Sequence, residues 1–299
     1  MSREYVIQKA IDRKDMSDKA VAAMAGKRYA IMPKFDGCHA QFHVKDGRFL
    51  GAETATGDVV RSCDHIGRHL AKVLPPSSRH TVVCGEVWSK RFQFAEISGM
   101  FRTHAPQPEL DFVPFDMLEP QDPKVLEDPR PWEQRVHILK ELYDTLFNDF
   151  GQVFPLGYSM MTTYEGAVEY AKSLKAMGGY DGAMLIDINA PYKVGRCRNG
   201  EKIKIKPLLE CDLLVLGVEL AHGEKTGKNT GALVCRYRDG KPVRVSTGLT
   251  QKEVDSMHEE PRVWQGRIVA VEAMGETADG LLREPRYKGI RTDKVAPDF

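Results

Sequence analysis

Apolar and polar positions alternate with a period of two along much of the chain after Arg28, the mark of half-buried strands. The run "YAIMPKFDGCHAQFHV" (Tyr29–Val44) leads a series of such strands, punctuated by "KDGR", "ATGD" and "LPPSSRH" as far as about Glu119. One amphipathic stretch interrupts them: in "CDHIGRHLAKVL", Ile66, Leu70 and Val73 recur at helical spacing. A proline-rich connector, "EPQDPKVLEDPRP", leads into "WEQRVHILKELYDTLF", where Val136, Leu139, Leu142 and Leu146 repeat every three or four residues. A further helix, "TYEGAVEYAKSLKAMGG", stops at Gly178 and Gly179, where a C-cap belongs. Residues 1–26 read as a polar helix, and strands resume at "GAMLIDI" and "EKIKIKP".

The texture changes after Pro207. "CDLLVLGVEL", "ALVCRYRDG", "KPVRVSTG" and "GRIVAVEAMGE" are closely spaced strands, with a short helix near "TQKEVDSM". This predicts an α+β chain of two domains, 1–208 and 209–299, the second a small β-barrel of the oligonucleotide/oligosaccharide-binding (OB) kind. Composition narrows the picture little. The chain has 299 residues, 28% charged and 8% aromatic, ordinary for a soluble globular protein. Its net charge of +1 means that any nucleic-acid footprint must come from local basic patches. No apolar run approaches the ~20 residues of a membrane span, and the N-terminus does not read as a signal peptide. The six cysteines show no C-x-x-C spacing, so neither a zinc site nor a disulfide scaffold is expected and a reducing, cytoplasmic setting is. His39 and His43 form an H-x-x-x-H, but on a strand they stand roughly 13 Å apart, too far to share a metal.

Candidate chemistry begins with Lys34 and Asp36, an ion pair's worth of charge in an apolar strand, followed by Gly37. Taken alone, K-x-D-G is equally a strand ending in a turn, with the lysine reaching to water. Its company is more specific. Glu86 sits on the apolar strand "VVCGEVW", Phe115 in "FVPFDML" and Asp181 at the head of "YDGAMLID". Lys202, Lys204 and Lys206 alternate in "EKIKIKP" and so share one strand face, where like charges repel unless an anion such as a polyphosphate lies between them. Near the C-terminus "LLREPRYKGIRTDK" gathers Arg283, Arg286, Lys288, Arg291 and Lys294 around Asp293.

In order and spacing these motifs resemble the covalent nucleotidyltransferases, most closely the ATP-dependent DNA ligases of the small bacteriophage type. The likeness extends to "FQFAEISGMFRT", "GKNTGALVCRYRDGKPVRVSTGLT" and the terminal "LREPRYKGIRTDK". It implies an adenylation (nucleotidyltransferase) domain of antiparallel sheets with flanking helices, followed by an OB-fold barrel. It also implies three steps: Lys34 attacks the α-phosphate of ATP, AMP passes to the 5′-phosphate of a nick in duplex DNA, and the 3′-hydroxyl displaces it. On that pattern Lys204 and Lys206 depress the Lys34 pKa and stabilise transition-state charge. Asp36 orients Lys34, and Gly37 lets the backbone approach the nucleotide. Glu86 contacts ribose, Phe115 stacks on adenine, and Met32 and His39 line the nucleotide site. Asp181, with Glu86, is the carboxylate linked to Mg²⁺, for which Mn²⁺ is a substitute. Arg291 and Lys294, positioned by Asp293, orient the leaving pyrophosphate. A monomer working on nicked DNA, away from membranes, in a bacterial or phage-infected cell is expected.

Several positions depart from the family pattern. His39 and Ala55 stand where arginines are usual, Thr54 precedes Ala55 ahead of Gly57, and Asp181 replaces the usual Glu. Met32 stands for an acidic residue and Ile186 for a lysine. The alternatives are an RNA or mixed-strand ligase, a capping guanylyltransferase, or a nucleic-acid-binding protein whose catalytic site has decayed.

Overall fold

The computed structural model describes residues 6–299 apart from 76, 78, 123, 124, 147–156, 162, 224–226 and 278. Contacts divide the chain into two compact units, Met1–Lys206 and Pro207–Phe299.

The first unit is built on two five-stranded sheets. One orders its strands Ile11–Asp12, Lys202–Ile205, Tyr180–Asp187, Tyr29–Phe35 and Ser159–Met160; the other orders Val59–Val60, Arg48–Thr54, Cys38–Lys45, Thr81–Trp88 and Asp111–Leu118. The chain leaves the first sheet at Phe35 and enters the second at Cys38, so Asp36 and Gly37 form the crossing between them. Lys34 therefore stands where one sheet hands over to the other.

Apolar spacing fixes the helices. Asp64–Val73 buries Ile66 and Leu70 in the core of the second sheet. Tyr164–Met177 buries Ala167, Ala171 and Leu174 and ends at Gly178, whose φ of 77° is cheap only for glycine. Trp132–Leu146 buries Trp132, Val136 and Leu139; the side chains of Leu142 and Leu146 lie outside the described residues. This helix is pinned by a buried fork: Arg135 donates to both carboxylate oxygens of Asp116 at 2.7 and 3.0 Å, and Trp132 Nε1 donates to the Phe115 carbonyl at 3.3 Å.

The N-terminal expectation fails in part. Residues 8–9 and 11–12 are short strands, and only Asp18–Ala23 is α-helix, capped by Ser17. Gln8–Lys9 pairs in parallel with Gly195–Arg196, and Ile11–Asp12 joins the Lys202–Ile205 strand. Those partners lie some 190 residues downstream, and tertiary pairing overrides local helix preference. Residues 1–5 of the expected helix lie outside the described residues.

The second unit is a five-stranded barrel ordered Pro242–Val245, Asn229–Arg236, Leu209–His222, Ile268–Ala273 and Arg286–Ile290. A parallel bridge from Thr247 to Arg286 joins the two ends of that order and closes it. Leu213, Leu233, Val245, Val269 and Val271 fill its interior. The helix Gln251–Glu259 starts at a capping box in which Thr250 Oγ1 accepts from Glu253 N and the Glu253 carboxylate accepts from Thr250 N.

Candidate active site

A cavity between the two sheets of the first unit is lined by Lys34, Met32, His39, Glu86, Phe115, Lys202 and Lys204, among others. At its edge Lys34 Nζ lies 3.0 Å from Asp181 Oδ2, and Lys206 Nζ lies 2.5 Å from the same oxygen. One carboxylate thus bridges two lysines.

A backbone irregularity places it there. Tyr180 pairs with Phe35 and Gly182 with Lys34, so two steps on one strand match one on the other and Asp181 is the extra residue. Such a bulge re-aims a side chain that strict alternation would send to the opposite face. With two cations against it, Asp181 overcomes the resistance of burial and its carboxyl is held below the usual range.

Lys34 behaves differently from the expectation. Burial alone would lower its pKa, but Asp181, then Glu86 and Asp36, outweigh burial and hold the ammonium above the usual lysine range. The expected depression by Lys204 and Lys206 is absent from the balance, because each lysine is already answered. Lys206 is committed to Asp181, and Lys204 Nζ pairs with Asp12 at 3.0 Å. Lys202 is buried, its Nζ over the Phe115 ring at 4.6 Å from the centroid. Lys202 and Lys204 reach the same cavity, and Lys206 directly follows their strand; Lys204 has Asp12, Lys206 shares Asp181 with Lys34, and Lys202 rests on an aromatic ring.

Glu86 carries the opposite perturbation. Burial drives its carboxyl up to about 7, with Lys34 and Lys202 pulling back and Asp36 and Asp181 pushing further. Gly37 explains how Glu86 comes so near the crossing. A Cβ at Gly37 would meet the Val87 carbonyl at 2.3 Å and Glu86 Cγ at 2.9 Å. The glycine therefore serves packing against the Thr81–Trp88 strand, where the sequence pointed to nucleotide approach.

His39 lies opposite Glu86 in the strand register, with its ring 5.6 Å from Phe115. Its Nε2 is buried and, among the described residues, has no hydrogen-bond partner. Burial and then Lys202 push its pKa down to about 3, so the ring is neutral. A neutral imidazole cannot supply the charge of an arginine at that place. Ile7, Gln8 and Ala10 also line the cavity. The expectation of a helix over residues 1–26 hid them and Asp12, because Ile7 and Ile11 stand four residues apart, a helical spacing.

Arg291, Asp293 and Lys294 belong to the second unit and form a cluster there. Arg291 Nε and Nη2 donate to the two Asp293 oxygens at 2.9 and 2.7 Å, and its Nη1 donates to Asp212 at 2.8 Å. Lys294 pairs with Asp212 at 2.5 Å and Asp298 at 2.9 Å, and acts on Asp293 through its charge, while Arg291 makes the direct bonds. Asp212, which the sequence did not single out, holds both cations.

Residues 223–291 match the family described as DNA ligase OB-like domain. A curated relative from Kineococcus radiotolerans, named "Probable DNA ligase", is 33% identical over 41% of this chain, which spans 26% of that relative's length. A protein of the same name from Koribacter versatilis is 25% identical over 93% of the chain and 56% of its own length. Among solved structures, one from a structure-function study of Lig E DNA ligases with a minimal DNA-binding scaffold superposes with a TM-score of 0.67 at 20% identity, covering 95% of this chain and 98% of that one. The ATP-dependent DNA ligase of bacteriophage T7 in complex with ATP superposes with a TM-score of 0.57 at 16% identity, covering 97% and 100%. The chain therefore has the minimal DNA-ligase fold, an adenylation domain followed by an OB-like domain.

Proposed function

We propose that this chain is an ATP-dependent DNA ligase of minimal, phage-like type that seals 5′-phosphate/3′-hydroxyl nicks through a lysyl-AMP at Lys34. The observation that carries the reading is Lys34 at a cavity edge, its Nζ sharing the bulged Asp181 carboxylate with Lys206. A primary amine forms a phosphoramidate only after losing a proton. In the free site the surrounding carboxylates retain that proton, so the nucleophile is stored inactive.

Lys34 Nζ attacks the α-phosphorus, the bond to pyrophosphate breaks and the amine's second proton is released. Lys206 and Lys204, on the same strand end, face charge that builds on the phosphate oxygens. Phe115, with Lys202 over its ring, offers an aromatic wall for the base, and Glu86 a hydrogen-bond acceptor for a ribose hydroxyl. Arg291 and Lys294 act on the leaving pyrophosphate, with Asp293 and Asp212 keeping them in position.

A divalent cation fits this donor set. No group of three or more His, Cys, Asp or Glu able to hold a metal exists among the described residues. Asp181 and Glu86 nonetheless both face Lys34, and one or two carboxylates with substrate phosphates are the usual company of Mg²⁺. Mg²⁺ or Mn²⁺ held there would neutralise phosphate charge and loosen the carboxylates' hold on the Lys34 proton. Nicked duplex DNA is the proposed partner, with salt-sensitive phosphate contacts. Six free thiols support a reducing, cytoplasmic setting, and the protein acts as a monomer.

The test uses α-labelled ATP or GTP with Mg²⁺, followed by a nicked duplex. ATP-derived label that is covalent, absent in Lys34→Ala or with chelator, and discharged as the nick closes supports the reading. Absence of label at every pH removes it, preference for GTP indicates capping chemistry, and discharge only onto RNA ends indicates an RNA ligase.

A further inference from the structure

His39 lines a second cavity as well as the one that holds Lys34. The walls of this neighbour include Thr54, Thr56, Phe101, Arg102 and Thr103. Among the described residues that line it, Arg102 is the one cation, and its guanidinium has neither a hydrogen bond nor an ion pair. Asp58, the carboxylate of the same wall, is engaged: it accepts from Thr56 Oγ1 at 2.8 Å. Thr54 Oγ1 accepts from the backbone N–H groups of Thr56 and Asp58, and Thr103 Oγ1 donates to the Met100 carbonyl at 2.9 Å.

The backbone at Arg102 is anchored. It directly follows the helix Phe94–Phe101, whose last carbonyl accepts from the buried Ser62 hydroxyl at 2.8 Å. The cavity thus combines polar walls that satisfy one another with a single uncommitted guanidinium on a fixed stem. Its boundary with the Lys34 cavity is a neutral histidine, and Ala55 in its wall has no charge to offer. A phosphate placed here would find its cation only in Arg102.

We infer that this cavity seats the 5′-phosphate of the nick and that Arg102 is the residue that binds it. The inference rests on the ligase reading. In the transfer step the P–N bond at Lys34 breaks, a bond forms from an oxygen of the 5′-phosphate to the AMP phosphorus, and Lys34 Nζ recovers a proton. Two anionic phosphates must meet, which requires a cation on the acceptor's side. Arginine suits that task because its planar fork binds phosphate oxygens in pairs. The β- and γ-phosphates of ATP offer the same chemistry, and the experiment separates the two.

The full chain and its Arg102→Ala and Arg102→Lys variants are labelled with α-labelled ATP. Each lysyl-AMP protein is then mixed with duplexes nicked at a 5′-phosphate or a 5′-hydroxyl. The expected result is labelling that persists in all three, with AMP discharge slowed about tenfold to a hundredfold in Arg102→Ala. Preferential binding of the 5′-phosphate nick over the 5′-hydroxyl nick should disappear in Arg102→Ala and return in part in Arg102→Lys. Discharge and preference equal to wild type in both variants overturn the inference. So does labelling that falls with discharge, which would put the guanidinium on ATP or in the fold. A wild type that never labels defeats the ligase reading instead, a result distinct from both.

Discussion

The two charged clusters of this protein are built on opposite principles. Around Lys34, in the first unit, carboxylates and amines are half-buried and imperfectly matched: Asp181 serves two lysines, while Glu86 is left with its carboxyl near 7. Around Arg291, in the barrel, every group has a partner: Asp212 is buried, while Arg291, Lys294, Asp293 and Asp298 reach solvent. Arg291 forks onto Asp293, Asp212 receives Arg291 and Lys294, and Asp298 receives Lys294. Water and salt screen the Asp293 and Asp298 side of the second cluster, so those bonds hold side chains in place with little net energy. The first cluster sits where the dielectric is low and mismatch is felt. Perturbed ionisation of that kind belongs with chemistry, and exposed, matched ionisation with positioning.

The sharpest way to break the contrast is Lys34→Ala. Covalent AMP should vanish entirely from a gel of labelled protein, whereas Asp293→Ala in the other cluster should weaken labelling without abolishing it. Behind the first cluster, Arg135→Ala should destabilise the fold by about 3–5 kcal/mol in denaturant unfolding, since it leaves Asp116 charged and buried without its fork.

Glu86 gives a pH signature. Its folded carboxyl titrates near 7 and its unfolded one near the ordinary value, so the native state binds the extra proton between those limits. Stability should therefore fall as pH rises through that window, by at most ~3 kcal/mol, and Glu86→Gln should remove the dependence. Melting temperatures of the two proteins at pH 5 and pH 8 check this: equal pH slopes would mean that Glu86 is not strained. The smallest effect belongs to the exposed cluster. Asp293→Ala should leave thermal unfolding essentially unchanged, and added salt should erase what difference remains.

Much of the site was legible because it lies on strands whose alternation fixes facing. Lys34, Glu86, Phe115, Lys202 and Lys204 all reach one cavity; alternation gave Lys202 and Lys204 their common face, and strand pairing brought the four strands together. What escaped was non-local. Asp12 answers Lys204 from a strand that exists only through pairing with residues 203 and 204. Asp181 owes its aim to a bulge that no residue type announces, and Gly37 owes its place to a carbonyl fifty residues away.

The sequence by itself determined most strands after Arg28, the helices over 64–73, 132–146 and 164–177 with the glycine stop of the last, the order of the motifs and the change of texture near Pro207. Each is written in spacing that short-range geometry translates directly. Only the tertiary structure decided the protonation of Lys34. That quantity depends on which carboxylates stand within a few ångströms, and three of them arrive from separate strands and a turn. Coulomb energy at such range varies steeply with distance, and distance between segments is what a linear sequence does not contain.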